Sequence, residues 1–253
     1  MDWQAIGLSV RLSVLTTLIL LAVGLPLAYW LTFSHARWKF LVEAVVALPL
    51  VLPPTVLGFY VLLAIGPRSP IGALYARLTG GMLPFSFQGL LLASVLYSLP
   101  FTVQPVAASF AAVDPKLLEA SWCLGVSRSA TFRRVLVPLA LPGIATGAIL
   151  SFAHTMGEFG VVLMVGGNIA GVTRTVSISI YDQVQALNYS AAARTSLFLL
   201  CFSFTVLVFT YSLQRRIWST GVGQALSPAK SHGLDCTGWQ AKAPAPRPGR
   251  HGL

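Results

Sequence analysis

LSVLTTLILLAVGLPLAYWLTF, residues 12–33, contains no acidic or basic side chain. As a helix rising 1.5 Å per residue it is about 33 Å long, enough to cross a hydrocarbon core of ~30 Å. Moving outward along the chain, residues 44–66, 78–113 and 195–213 are also free of charge, and residues 135–157 are interrupted only by His154. One charge at mid-bilayer costs roughly 2.5–3.5 kcal/mol on the insertion scale, so five such windows in one chain are not a product of chance. The whole chain agrees: of 253 residues 55% are hydrophobic and 9% charged, against roughly 25% charged in soluble domains. The expected fold is all-α, a polytopic integral membrane protein with about five transmembrane helices.

The third window exceeds one crossing, and Gly80, Gly81 and Pro84 break its front, so its helix is expected to start near Phe87. The spans are then placed at about 10–33, 41–66, 87–112, 136–160 and 193–214, within a membrane domain of residues 1–218. Pro26, Pro49, Pro53, Pro54, Pro100 and Pro105 fall inside spans, where neighbouring helices can satisfy the carbonyls that proline frees. Pro53-Pro54 marks a kink or an unwound turn. The first apolar run is too long for a cleaved leader and lacks a basic start, so it is expected to stay as a span. From residue 219 to 253 the chain turns to Ala, Pro, Gly, Lys and Arg, which reads as a disordered basic tail. No fixed-period repeat is present.

Charge sets the orientation. If five spans alternate, Arg37, Lys39, Lys116, Arg128, Arg133, Arg134, Arg215 and Arg216 share one side, while Arg11, Arg68, Arg77, Arg174 and Arg194 share the other. The richer side is cytoplasmic, which puts the N-terminus outside and the C-terminus inside. The net charge of +10 then follows from the positive-inside rule and the tail, so no nucleic-acid partner is required; a basic tail on anionic lipid or RNA is the lesser reading. Cys123, Cys201 and Cys236 suggest neither a disulfide framework nor a ligand cluster.

No phosphate-binding Gly-x4-Gly-Lys-Ser/Thr loop occurs, acidic residues number only seven, and the histidines lack metal-ligand spacing. The chain is therefore expected to have no catalytic residues, no cofactor and no metal of its own. Its densest charge lies at residues 114–134. There Asp114 can cap a helix, Pro115 suits the first helical position and Gly125 can end it, giving a short helix at about 115–125 between the third and fourth spans.

That hairpin, Glu119-Ala120-Ser121-x3-Gly125-x9-Val135-x-Val137-Pro138, resembles the E-A-A loop of permease subunits in ATP-binding-cassette importers. The family pattern has Ala at Ser121, Ile at Val135 and Leu at Val137. The resemblance implies that Glu119, Ala120, Ser121, Gly125 and Pro138 couple the permease to a separate ATPase, with the short helix in a groove of that subunit. Read alone, Glu119 is a solvated helix charge and Gly125 an ordinary cap. Further stretches, Leu52-Pro53-Pro54-Thr55-Val56-Leu57-Gly58-Phe59-Tyr60, Gly157-Glu158-Phe159-Gly160 and Gly167-Asn168-Ile169-Ala170-Gly171-Val172-Thr173-Arg174-Thr175, are similar to the molybdate, tungstate and sulfate permease group. Ala170 stands where that group has proline.

The resemblance implies the fold of a type I importer permease, a homodimer in a bacterial inner membrane. Its implied partners are two ABC ATPase subunits, a periplasmic or extracytoplasmic molybdate-binding protein, and the lipid bilayer. Physically, Pro53, Pro54, Thr55, Ser98, Gln104, Ser151, Thr155 and Glu158 suit a gated anion path: freed backbone beside a cavity, and neutral donors that release an oxyanion. For each Ser or Thr taken singly, a bond to the preceding helical turn is the competing reading. Glu158, four residues after His154, is either restrained at a gate by Arg174 or a backbone N–H, or capped near the outer interface. His154 reads as a packed interior residue. Rival functions are a sulfate or thiosulfate permease and an ion-coupled secondary transporter using Glu43 or Glu158.

Overall fold

Small and hydroxylated side chains recur at helical spacing along the first helix, and they decide how the bundle closes. In the computed structural model, which describes residues 2–225 and side chains through residue 212, α1 spans Trp3–Phe33. Asp2 opens it, its Oδ1 accepting from the Ala5 N–H at 3.0 Å. Ser9, Ser13, Thr16, Leu20, Gly24 and Ala28 lie on its buried face. Such residues let backbones approach closely where lipid supplies no hydrophobic drive between helices.

The next apolar window is divided. α2 (Lys39–Val51) and α3 (Pro54–Ile65) meet at 117°. A residue before proline is driven out of the helical region, and Leu52 and Pro53 both precede one; their ψ angles are 138° and 136°. The window from Lys39 to Ile65 is thus a broken span or a re-entrant loop rather than a straight rod. A short amphipathic helix, α4 (Pro70–Thr79), follows, capped by Ser69 and ended by Gly80. α5 (Phe87–Ala111) starts at its cap Ser86 and carries Pro100 and Pro105 inside.

After α5 come α6 (Pro115–Cys123), α7 (Arg128–Thr131), a π-helical turn at Phe132–Leu136, α8 (Val137–Leu139) and α9 (Leu141–Gly157). The π turn has a local cause: Pro138 cannot donate to the Arg134 carbonyl, and the Val137 N–H reaches back five residues to Phe132. At Ala140 the chain bends by 72° into α9. α10 (Gly160–Gly166), α11 (Val176–Gln185) and α12 (Tyr189–Ala225) complete the order. α12 runs past residue 219, where the sequence reading begins the tail; residues 226–253 of that tail lie outside the described residues.

α1, α5 and α9 pack on one another at the centre. The approach of α5 to α9 is so close that a Cβ at Gly143 would lie 2.2 Å from the Ser109 Cβ and 2.8 Å from the Pro105 carbonyl oxygen. A second layer joins α3 to α10 through Val61, Ile65, Val161 and Val165. α11 hangs on α1 by a buried bond from the Val176 N–H to Ser9 Oγ at 2.8 Å. α12 contributes little to the core: Leu200 and Phe204 are each 65% exposed. Three described helices are long and apolar enough to cross a membrane, or up to five if each bent pair counts as one.

Candidate functional site

Two regions carry the residues singled out in the sequence. At the first, α6 is built by local chemistry. Asp114 Oδ1 accepts from the Lys116 N–H at 2.9 Å, and Pro115 occupies the first turn. At the far end Gly125 adopts φ +77°. The Gly125 N–H bonds the Trp122 carbonyl and the Val126 N–H bonds the Ser121 carbonyl. This paired pattern satisfies the last carbonyls and needs a left-handed residue at Gly125, where a Cβ is disfavoured.

One face of α6 is anchored and the other is free. Leu118 enters a buried cluster with Phe110, Leu136 and Ala140. Ser121 Oγ meets Thr131 Oγ1 at 2.9 Å, tying α6 to α7. Glu119 and Ala120 are exposed, and Glu119 has no ion pair among the described residues. Pro138 is exposed beyond the π turn. The arrangement is a short helix anchored by one face that presents a carboxylate and a small residue outward.

The second region is polar and internal. Ser98, Ser151 and Thr155 are buried between α5 and α9. Ser98 Oγ lies 3.0 Å from both His154 Nδ1 and Thr155 Oγ1, and Thr102 Oγ1 bonds Ser151 Oγ. These hydroxyls bind one another between helices rather than a preceding turn. His154 is packed on the Phe101 ring, with centroids 3.9 Å apart. Pro53, Pro54, Thr55 and Gln104 are exposed instead.

Pro54, Thr55, Tyr97, His154, Glu158 and Gly160 line one cavity of about 450 Å3. Glu158, 6% exposed, is the buried acid of that lining, and neither carboxyl oxygen has a hydrogen-bond partner. Ser94 and the Val162 N–H are its polar neighbours. The structure thus joins Thr55, from the break between α2 and α3, to Glu158, from the break between α9 and α10, and leaves Gln104 apart. Arg174 does not reach Glu158: its Nε donates to Asn168 Oδ1 at 2.6 Å and lies 3.6 Å from Asp182 Oδ2.

Ser94, Tyr97, Phe101 and Thr102 belong to this region but escaped the sequence reading. Their signal was present as Ser94, Ser98 and Thr102 at successive four-residue steps, facing Gly147, Ser151 and Thr155 at the same steps. The Asn168–Arg174–Asp182 cluster was missed because its members join across a loop and α11.

Residues 21–219 match the family model described as binding-protein-dependent transport system inner membrane component. The chain is 53% identical over 214 residues to the molybdenum transport system permease protein ModB of Azotobacter vinelandii, covering 85% of this chain and 95% of that one. To ModB of Escherichia coli strain K12 it is 38% identical over 184 residues, covering 73% and 80%. In three dimensions it is similar to a chain of a bacterial ABC transporter involved in the import of the acidic polysaccharide alginate. The TM-score is 0.69 at 18% identity, covering 85% of this chain and 79% of that one. That likeness concerns the fold alone, the all-helical permease fold of type I ABC importers.

Proposed function

This chain belongs to the binding-protein-dependent transport system inner membrane components, and from that premise we propose that it is the membrane-spanning permease subunit of an ATP-driven molybdate importer. The observation that carries the coupling role is α6: seated through Leu118 and Ser121, closed by Gly125, and presenting an exposed, unpaired Glu119. The molybdate assignment is supported by the names of the relatives.

Two copies form the path about a shared two-fold axis, as closed symmetry favours. Each presents α6 to one copy of a separate ATPase, which performs the hydrolysis; this chain makes and breaks no bond. An extracytoplasmic binding protein delivers the anion on the opposite side. The N-terminus faces outside, and the hairpin and C-terminus face the cytoplasm, following the distribution of Lys and Arg. The bent windows serve as single spans within a membrane domain of residues 1–218.

When the ATPases close on nucleotide, the two α6 helices move together. Because Leu118 packs with Phe110 and Leu136, and Ser121 with Thr131, that motion passes to α5 and to the segment leading into α9. Alternating access follows from rocking these packed helices. The cavity at Thr55, His154 and Glu158 lies on the path, bounded by two chain breaks that give its walls room to shift. Non-helical backbone at membrane depth is tolerated beside such a cavity. Glu119, Ala120, Ser121, Gly125 and Pro138 form the coupling element; Pro53, Pro54, Thr55, Ser98, Gln104, Ser151, Thr155 and Glu158 form or support the path.

The test is uptake of labelled molybdate by vesicles reconstituted with this chain, its ATPase and its binding protein. Uptake is expected only with ATP and to resist excess sulfate. Uptake without ATP sinks the coupled mechanism, and equal competition by sulfate transfers the assignment to a sulfate permease.

A further inference from the structure

The side of α6 that carries Leu118 and Trp122 borders a partly open pocket of about 510 Å3. Leu118 and Trp122, one helical turn apart, form its roof. Tyr29, Trp30 and Phe33 at the end of α1 form one wall, and Phe132 and Leu136 of the π turn form another. The rim is polar, with Ser34, His35 and Arg128. Arg128 rests over the Trp122 ring, its Cζ 5.8 Å from the centroid, and has no carboxylate partner among the described residues. No acidic residue lines the space. Volumes of roughly 300–1,000 Å3 suit small-molecule occupants.

We propose that this pocket binds one anionic phospholipid of the inner leaflet, its phosphate held by Arg128 at the rim and its glycerol and upper acyl chain lying on the aromatic wall. The amphipathic order of the lining matches that ligand end to end. Trp and Tyr belong at the boundary between headgroups and hydrocarbon, where α1 leaves its span. The cytoplasmic leaflet carries anionic lipid and draws Lys and Arg to it. Arg133 and Arg134, both exposed on the adjoining turn, add positive field. The leaflet assignment rests on the orientation proposed above; the pocket and its chemistry do not. A lipid seated here touches α1, α6 and the π turn together and stiffens the seat of the lever, so transport is expected to depend on anionic lipid.

The test is native mass spectrometry of the full-length purified chain titrated with phosphatidylglycerol or phosphatidylcholine. One phosphatidylglycerol per chain is expected to remain bound where phosphatidylcholine does not. Arg128→Gln is expected to weaken that retention about tenfold, the loss of one charge-assisted hydrogen bond, while Arg194→Gln leaves it unchanged. Equal retention of phosphatidylcholine, or undiminished phosphatidylglycerol on Arg128→Gln, overturns the proposal. Displacement by inorganic phosphate also overturns it, in favour of a soluble anion. Should Arg128→Gln not fold, Phe33→Ala trims the apolar wall and is expected to weaken retention, and unchanged binding counts against the site. Since the assay contains no ATPase and no transport step, its failure leaves the importer reading standing, and a failed uptake assay leaves this one standing.

Discussion

The α6 hairpin and the α5–α9 interior solve the same problem in opposite ways. Both must satisfy the polar groups of their helices, α6 at an exposed surface and the interior away from water. In α6 the ends of the helix are satisfied within a few residues: Asp114 caps the start, Gly125 turns the end, and the Val126 N–H closes back on Ser121. In the interior Ser98 pairs with His154 and Thr155, and Thr102 with Ser151, in each case across two helices. A locally satisfied element can be pushed as a unit without breaking its bonds, which suits a lever. Hydroxyls paired across helices hold those helices in register and resist shear, which suits the body that the proposed lever would move. Glu158 fits neither description, being buried with both oxygens unpartnered beside a cavity.

The harshest way to break this contrast is Gly143→Val. Its side chain would strike Ser109 and the Pro105 carbonyl, so α5 and α9 must part, at a cost of about 3 kcal/mol. Loss of monodisperse protein in detergent is expected; a normal melting curve would show that close approach is not what holds the body together. Next comes Glu119→Lys, an exposed reversal that should leave insertion and melting intact while ATP-driven uptake falls by roughly tenfold or more, about 1.4 kcal/mol of coupling. Normal uptake would remove Glu119 from the joint.

Gly125→Ala places a Cβ at φ +77° and should cost about 1 kcal/mol. Its uptake should fall more than its thermal stability does, because the strain is confined to the lever; the reverse order would mean the turn serves folding alone. Glu158→Gln keeps the shape and removes the ionisable group. Melting temperature is expected to hold or rise and uptake to fall several-fold, and unchanged uptake would take Glu158 off the path. The smallest effect sharpens the interior: a double-mutant cycle of Thr102→Ala with Ser151→Ala should give a coupling of about 0.6 kcal/mol, the average for hydrogen bonds between membrane helices. A coupling near zero would leave those hydroxyls without a role in register.

Legibility followed the range of the interactions. The charge-free windows, the break at Gly80 and Gly81, and the caps of α6 are effects of neighbours in sequence and were readable there. α4, α10 and α11 were not read, since their 10, 7 and 10 residues are too short to span and carry no long apolar run. Among the site residues, Thr55 and Glu158 share a cavity only because two distant chain breaks come together, and no spacing announces that. Ser94 and Thr102 did carry a four-residue rhythm, but an apolar helix makes such a rhythm hard to tell from packing.

By itself the sequence determined that this chain is a helical membrane protein, and it drew the short capped helix that begins at Asp114 and turns at Gly125, because burial in lipid and helix capping are settled by composition and by neighbours a few residues away. The break at Pro53-Pro54 was written in the sequence, whereas tertiary structure alone decided the pairing of hydroxyls across α5 and α9, the burial of the Glu158 carboxyl beside a cavity and the pocket behind α6. Those depend on which helix faces which, and in a uniformly apolar chain that choice is made by backbone approach at small residues, a property of pairs of helices rather than of any one segment.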